Sequence, residues 1–223
     1  MSSYHGIELS ESFFDTDRAA RVLNYYFTSK TDKGLRYTGG AWDTFDPSGD
    51  RYATPHHFTT AGLASCSLLS TAIGGRATLQ LLTEPPPQIG ELLHAIDPDA
   101  DFADIDINGP MMRSVRELYA ALCELDGIGP TRCTKLMARK RPRLVPIVDS
   151  VLAQSVYGGK APHWDRLHTA MNAEDQRLWK FLGEAHTAAH LSQTITPLRV
   201  FDVLAWMDGT KQSQYARDSP RTI

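Results

Sequence analysis

One segment of the sequence combines residues that could hold a phosphate with a carboxylate that could take part in catalysis. It contains Gly127-Ile128-Gly129-Pro130, and Asp149 follows Gly129 after 20 positions. Gly127 can adopt the positive φ that ends a helix, Gly129 leaves the next turn without a Cβ, and Pro130 suits the first position of a new helix. The pattern predicts a tight hairpin with exposed amides at a helix N-terminus, which is a good binding site for a phosphodiester.

Basic residues are concentrated directly after this hairpin. Six of them and no acidic residue lie between Arg132 and Arg143, whereas the whole chain has 23 basic and 26 acidic residues. This distribution indicates one local contact with a nucleic-acid backbone. The alternative is a solvated helix end, where positive charge is favourable without a ligand. We expect nucleic-acid contacts from these residues of the hairpin and the following helix: Gly127, Ile128, Gly129, Thr131, Arg132, Lys135, Arg139 and Lys140.

The hairpin and the aspartate resemble the helix-hairpin-helix DNA glycosylase superfamily, in particular its endonuclease III branch. Members share a Leu-x-Gly-[Ile/Val]-Gly hairpin and a catalytic aspartate at the start of a later helix, with the separation found here between Gly129 and Asp149. The stretch Pro146 to Leu152 is similar to the family's Pro-x-Asp-Thr-x-Val. The resemblance covers Leu118 to Gly158. The run Ala138 to Pro146 is also similar to one in an uncharacterised actinobacterial family, which implies no function.

The departures from the superfamily's pattern narrow the activity that the resemblance implies. Bifunctional members carry a nucleophilic lysine two positions after the second hairpin glycine, where this chain has Thr131. Iron–sulfur members need four cysteines, and this chain has only Cys66, Cys123 and Cys133. The resemblance therefore implies a monofunctional glycosylase of base excision repair, which uses water in place of lysine, has no lyase activity and needs no cofactor.

The resemblance assigns the catalytic role to Asp149. Breaking an N-glycosidic bond develops positive charge on the sugar, and a carboxylate can stabilise such an oxocarbenium-like transition state. A carboxylate at a helix start stays ionised because the helix dipole favours its charged form. The alternative is that Asp149 only caps the helix from Ser150 to Tyr157, as aspartate often does.

Three functions remain open at this point. The first is the DNA glycosylase, which must flip its target nucleotide out of double-stranded DNA. The second is a noncatalytic helix-hairpin-helix protein that binds DNA or RNA. The third is a nucleoside N-glycoside hydrolase that acts on a small molecule with the same aspartate. Salt separates the third from the other two, because only backbone binding weakens steeply with ionic strength.

A flipped base needs aromatic stacking surface and a polar group that reads its edge. Tyr37, Trp42, Asp43 and Phe45 offer both, and they lie in the stretch Leu35 to Phe45, where Gly39-Gly40 between aromatic-rich flanks predicts a β-hairpin. We name these four residues as candidates for the base pocket. The alternative is that they are packing residues of the core or of a loop.

Helical periodicity dominates the elements that must position these groups. It predicts helices over 111–125, from Pro130 through Met137, and over 15–29, 58–73, 89–96, 162–171, 173–191 and 197–207. The expected fold is mainly α, a helical glycosylase-like fold with one short β-hairpin. Residues 1–223 should form a single globular unit of two helical halves, with the hairpin and aspartate segment at 111–158 and a flexible tail at 211–223.

Composition sets the remaining expectations. The chain has 223 residues, of which 42% are hydrophobic, so it can bury a sizeable core. Three cysteines without CxxC spacing, no secretion signal and no long apolar run predict a cytoplasmic monomer without membrane contact. His186 and His190 lie four apart on a predicted helix face, but the HExxH pattern is missing, so we expect no metal.

Overall fold

A computed structural model of the protein describes residues 1–216, which are mainly helical. This confirms the predicted fold class. Within residues 1–216 the elements are β1 (Ser2–Tyr4), β2 (Ile7–Leu9), α1 (Thr16–Thr28), β3 (Lys30–Thr31), β4 (Gly34–Leu35), α2 (Thr60–Ser65), α3 (Gly75–Leu82), α4 (Pro87–Ala95), α5 (Pro110–Cys123), α6 (Pro130–Lys140), α7 (Ser150–Ser155), α8 (His163–Ala188) and α9 (Pro197–Gly209), with 3₁₀ turns at Thr38–Ala41, Cys66–Leu69 and Gln212–Ala216.

The chain divides into two compact units. One consists of Met1–Gly40 together with the described residues from Val148 onward, and we call it the terminal unit. The other is the continuous segment Ala41–Ile147, which we call the central unit. The predicted hairpin belongs to the central unit and Asp149 to the terminal unit.

In the terminal unit, α1 packs against α8 and α9. The apolar residues that predicted α1 are the ones it buries, namely Ala19, Val22, Leu23, Tyr26 and Phe27. Asp15 caps α1 by accepting a hydrogen bond from the Arg18 amide. Helix α7 packs against α9, and the unit also contains two antiparallel strand pairs, β1 with β2 and β3 with β4.

In the central unit, α5 packs against both α4 and α6. Helix α5 buries four residues of one helical face in the core of the central unit, namely Met112, Val115, Leu118 and Leu122. Pro110 and Pro130 occupy the first positions of α5 and α6, where the missing N–H costs no intrahelical hydrogen bond. The paired helices hold the intervening segment, residues 124–129, as a short connection.

The β-hairpin predicted for Leu35 to Phe45 is wrong. Its Gly39-Gly40 pair lies in the 3₁₀ turn Thr38–Ala41. A Cβ on Gly40 would lie 3.2 Å from the Cα and carbonyl oxygen of Phe27 in α1. The glycine is needed for a close approach to a helix rather than for a tight turn between strands.

The other helix predictions are compared with the structure by where each helix is interrupted. The helix expected over 58–73 is split into α2 and the 3₁₀ turn Cys66–Leu69, which is followed by Ser70 with a φ of 57°. Helix α3 was not predicted. Helix α8 contains the two helices expected over 162–171 and 173–191, and the break between them is present as non-helical backbone at Ala173, Glu174, Asp175 and Gln176.

The expected tail begins with an ordered turn. The Gln212 side chain accepts a hydrogen bond from the Tyr37 hydroxyl at 2.6 Å, and Ala216 is buried. Residues 211–216 are therefore part of the terminal unit rather than a flexible tail, while 217–223 lie outside the described residues. Across residues 1–216, no helix combines the length and the apolar character needed to cross a membrane.

Candidate nucleic-acid-binding hairpin and the Asp149 carboxylate

The segment between α5 and α6 folds as the sequence predicts, as a tight turn followed at once by a helix. The Ile128 amide donates to the Leu125 carbonyl at 3.0 Å, and Gly127 has a φ of 80°. This is the conformation that a type II turn requires at its third position, where glycine is favoured. Ile128 is buried and anchors the turn, whereas Gly127 is exposed.

Gly129 is the N-cap of α6 and carries no side chain to cover the helix end. Its φ of −98° is open to any residue, so only Gly127 takes the positive φ expected in this turn. A Cβ added at Gly127 or at Gly129 would meet no atom within 4 Å. The first-turn amides of α6 have no intrahelical acceptor and carry the positive end of the helix dipole. Open space beside unsatisfied amides is typical of an anion-binding site at a helix N-terminus.

Two arginines, Arg132 and Arg76, lie beside this turn. Arg132, in the first turn of α6, is half-buried and donates from Nε to the Ala72 carbonyl at 2.9 Å. Arg76, in α3, is 85% exposed and pairs with Asp126 at 3.0 Å. Sequence reasoning missed Arg76, because 50 positions separate it from Asp126 and no local pattern indicates that the two residues meet.

The predicted phosphate contacts from Lys135 and Arg139 are wrong, because both side chains are buried. The ammonium group of Lys135 donates to the Leu69 carbonyl at 2.7 Å and to the Thr71 hydroxyl at 2.6 Å. Arg139 donates to the Trp42 carbonyl at 2.5 Å and also to the Phe45 carbonyl. These groups satisfy backbone acceptors inside the central unit and cannot meet a phosphate at the surface.

The predicted phosphate contact from Lys140 is wrong for the same reason, and Arg141, the next residue of the basic run, is also buried. Lys140 is 6% exposed and donates to the Thr54 carbonyl at 2.8 Å. Arg141 is fully buried and donates to the carbonyls of Ile96, Pro55 and Leu93. Burial lowers the pKa of Lys140 to about 8 and that of Arg141 to about 10. The basic run is thus largely a set of internal donors and not a surface patch.

Asp149 is the N-cap of α7 in the terminal unit. Its Oδ1 accepts hydrogen bonds from the amides of Val151 and Leu152, both at 3.0 Å, and the residue is half-buried. These two amides fix the position of one carboxylate oxygen. The structure thus contains the capping interaction that was the alternative to catalysis, together with a partly accessible carboxylate.

The four candidates for the base pocket are occupied by contacts within their own units. Tyr37 belongs to the terminal unit, where its ring stacks on Tyr26 with centroids 5.0 Å apart. In the central unit, Trp42 and Asp43 are each 1% exposed, so neither offers a free face or edge to a base. Phe45 is half-buried, and its carbonyl accepts from Arg139. The aromatic density of this stretch reflects packing.

His186 and His190, the two histidines considered as metal ligands, do not lie on one helix. His186 Nε2 lies 3.0 Å from the Ser192 carbonyl, while His190 follows the end of α8 with a φ of 53°. They do not share a helical face, because α8 ends at Ala188. Among residues 1–216, no group of three or more His, Cys, Asp or Glu side chains is placed to hold a metal ion.

Comparison with known proteins identifies a family but no activity. No curated protein and no solved structure matched the chain. A family model described as a family of unknown function, DUF6308, matches residues 19–209, a range that includes both the hairpin and Asp149. The match extends over most of the chain, and the protein therefore belongs to the DUF6308 family.

Proposed function

We propose that this protein is a monofunctional DNA N-glycosylase that holds the DNA backbone with the Gly127–Gly129 hairpin and uses Asp149 in catalysis. The observation that carries the proposal is the hairpin itself. Gly127 has a φ of 80°, Gly129 begins α6, and a Cβ on either residue would meet only open space. This is the backbone geometry that the resemblance to helix-hairpin-helix glycosylases implies for phosphate binding.

The chemistry of the hairpin favours a phosphodiester over a neutral ligand. After Pro130, which has no N–H, the first turn of α6 has amides without an intrahelical acceptor, and the neighbouring glycines leave open space for a ligand. Arg132 and the exposed Arg76 add positive charge beside it, partly offset by Asp126. A backbone phosphate needs no more than such a turn with one or two cations nearby.

The burial of Lys135, Arg139 and Lys140 changes the expected strength of binding. Each phosphate neutralised by a cation contributes about −0.9 to the slope of log K against log salt. With Arg76 and Arg132 as the cations beside the hairpin, we expect a slope of about −1 to −2. Affinity should accordingly be modest, and most discrimination between substrates must come from contacts with the target nucleotide.

Asp149 supports the catalytic half of the proposal. Its Oδ1 is fixed by the amides of Val151 and Leu152 at 3.0 Å each, so the carboxylate is oriented before substrate binds. An oriented carboxylate stabilises the positive charge that develops on the sugar and can orient the attacking water. Thr131, where bifunctional members of the superfamily have lysine, favours hydrolysis without strand cleavage.

Binding is tested with fluorescein-labelled duplex DNA and the variant Gly129→Ala. The φ of −98° at Gly129 and the open space around it mean that alanine leaves the fold intact. Its methyl group would occupy the volume into which a phosphate must approach, so we expect at least tenfold weaker binding. Gly90→Ala, in α4 with open space around its Cβ, is the matched control and should bind like the wild type. Equal affinity of the two variants would contradict the role of the hairpin.

Catalysis is tested on duplexes that carry uracil, hypoxanthine, 8-oxoguanine, 3-methyladenine or 7-methylguanine, with abasic sites counted. Asparagine caps a helix about as well as aspartate, so Asp149→Asn removes the charge and keeps α7. We expect abasic product from at least one duplex and its loss in this variant, with DNA binding unchanged. Release of base by Asp149→Asn at the wild-type rate would contradict the catalytic role of the carboxylate.

A second candidate is a noncatalytic helix-hairpin-helix protein that binds nucleic acid. The observation that favours it is the cap on α7, because two amide hydrogen bonds to Oδ1 explain an aspartate at this position without any reaction. The two candidates share the Gly129→Ala result and differ in the base-release assay. Salt-sensitive binding without product from any duplex would favour the second.

A further inference from the structure

Two cysteines lie on either side of the hairpin connection. Cys123 is the last residue of α5 and Cys133 is in the first turns of α6, and their sulfur atoms are 2.8 Å apart. In a disulfide this distance is about 2.05 Å. The paired helices α5 and α6 therefore hold the two sulfur atoms less than an ångström farther apart than in a disulfide bond. The glycine turn lies between the two cysteines in the sequence.

The two thiols differ in their access to solvent. Cys123 is half-buried, whereas Cys133 is fully buried and its thiol donates to the Tyr119 carbonyl at 3.7 Å. Burial, and then the neighbouring Cys123 thiol, raises the pKa of Cys133. A reagent from solvent therefore meets Cys123 first, and Cys133 is placed to react second with the sulfur that Cys123 presents.

The geometry points to a reversible disulfide between Cys123 and Cys133 that closes the base of the hairpin. Its formation uses a small disulfide such as oxidised glutathione. The Cys123 thiolate attacks one glutathione sulfur, forming a mixed disulfide and releasing a glutathione thiolate. Cys133 then attacks Cys123 Sγ, which breaks the mixed disulfide, and the thiol proton of Cys133 passes to the departing thiolate of the second glutathione. Two electrons pass from the protein thiols to the small disulfide, and an excess of reduced glutathione reverses both steps.

This inference does not depend on the proposed function, because the reaction involves only the two thiols. Its consequence for the hairpin is mechanical. The bond would close a loop that contains residues 124–132, including Gly127 and Gly129, and it would require little movement of α5 and α6. Oxidation should therefore hold the turn in the conformation described here rather than distort it.

The experiment incubates the intact protein with oxidised glutathione, denatures it without reductant and counts free thiols with a maleimide reagent. Three cysteines are present, and we expect one to remain. Cys66 is the one expected to stay free, since it is fully buried. The variant Cys66→Ser is the matched control and should end with no free thiol. Two free thiols in oxidised Cys66→Ser would overturn the proposal.

Peptide mapping identifies the bond directly. Trypsin cleaves after Arg116, Arg132 and Lys135, so Cys123 and Cys133 fall in separate peptides, 117–132 and 133–135. We expect the oxidised protein to yield these two peptides as one linked species that separates on reduction. In Cys123→Ser, the thiol of Cys133 should stay free under the same oxidation because it is buried. A linked species that instead contains Cys66, or oxidation of Cys133 in Cys123→Ser at the wild-type rate, would contradict the proposed order of reaction.

Discussion

The Arg139 guanidinium lies over the ring of Trp42, 5.6 Å from its centroid, and its Nη1 donates to the Trp42 carbonyl. The sequence predicts that Arg139 contacts a DNA phosphate and that Trp42 stacks against a flipped base. The structure instead joins them inside the central unit, where Trp42 packs with Ala138 and Ile147. One internal interaction therefore accounts for two residues that had suggested nucleic-acid contacts.

Replacing Arg139 with methionine should destabilise the central unit. The carbonyls of Trp42 and Phe45 would lose their buried donor, which costs about 2 to 4 kcal/mol in the free energy of unfolding. Arg143→Met is the matched control, because Arg143 forms a partly exposed ion pair with Asp101 whose loss should cost less than about 1 kcal/mol. Urea denaturation followed by circular dichroism measures both. If Arg139→Met kept its stability and lost DNA affinity, Arg139 would contact phosphate after all.

Lys140 should make stability depend on pH in the alkaline range. Its pKa is lowered to about 8 by burial, a shift that Asp50 opposes and that Arg139, Arg141 and Arg51 reinforce. In the unfolded chain the pKa is about 10.4. Between these values the unfolded state binds more protons, so the free energy of unfolding rises with pH. Below pH 8 the charged Lys140 destabilises the folded state by a constant amount, and this contribution does not vary with pH.

The comparison with Lys140→Gln isolates this contribution from other titrating groups. We expect the stability difference, wild type minus variant, to increase by about 2 kcal/mol between pH 8 and pH 10. Thermal or urea unfolding at a series of pH values provides the measurement. A difference that stays constant over this range would show that Lys140 keeps its ordinary pKa in the folded protein.

Substitutions at Asp149 should separate capping from charge. Asp149→Ala removes the acceptor for the Val151 and Leu152 amides and should cost about 1 kcal/mol in unfolding free energy. Asp149→Asn keeps an acceptor and should cost only a few tenths. Equilibrium unfolding of the two variants tests this. If Asp149→Asn were as destabilised as Asp149→Ala, its loss of base release could not be assigned to the missing charge.

Gly127 should tolerate substitution according to backbone conformation rather than size. With a φ of 80° and no atom within 4 Å of an added Cβ, Gly127→Ala has room but incurs a strain of about 1 to 2 kcal/mol. Gly127→Asn should cost less, because asparagine adopts positive φ more readily. Gly129→Ala should cost about 1 kcal/mol or less, because alanine is a poorer N-cap than glycine. A melting temperature of Gly127→Asn at or below that of Gly127→Ala would contradict the turn conformation described here.

The sequence determined the parts of this protein that depend on local geometry. Helix α1 and its buried face follow from apolar spacing, and the turn between α5 and α6 follows from Gly127 and Pro130, because these residues restrict or permit backbone angles within a few positions. The family resemblance rests on the same local segment. Such features need no information about which distant residues are neighbours.

Only the tertiary structure decided where the basic side chains point. Arg139, Lys140 and Arg141 donate to carbonyls 45 to 97 positions away in the chain, and no pattern within the run indicates those acceptors. The same holds for Gly40, whose missing Cβ matters because α1 approaches it closely. A charged run is identical in sequence whether it faces water or satisfies buried carbonyls, since the difference lies in the long-range packing that removes its acceptors from solvent.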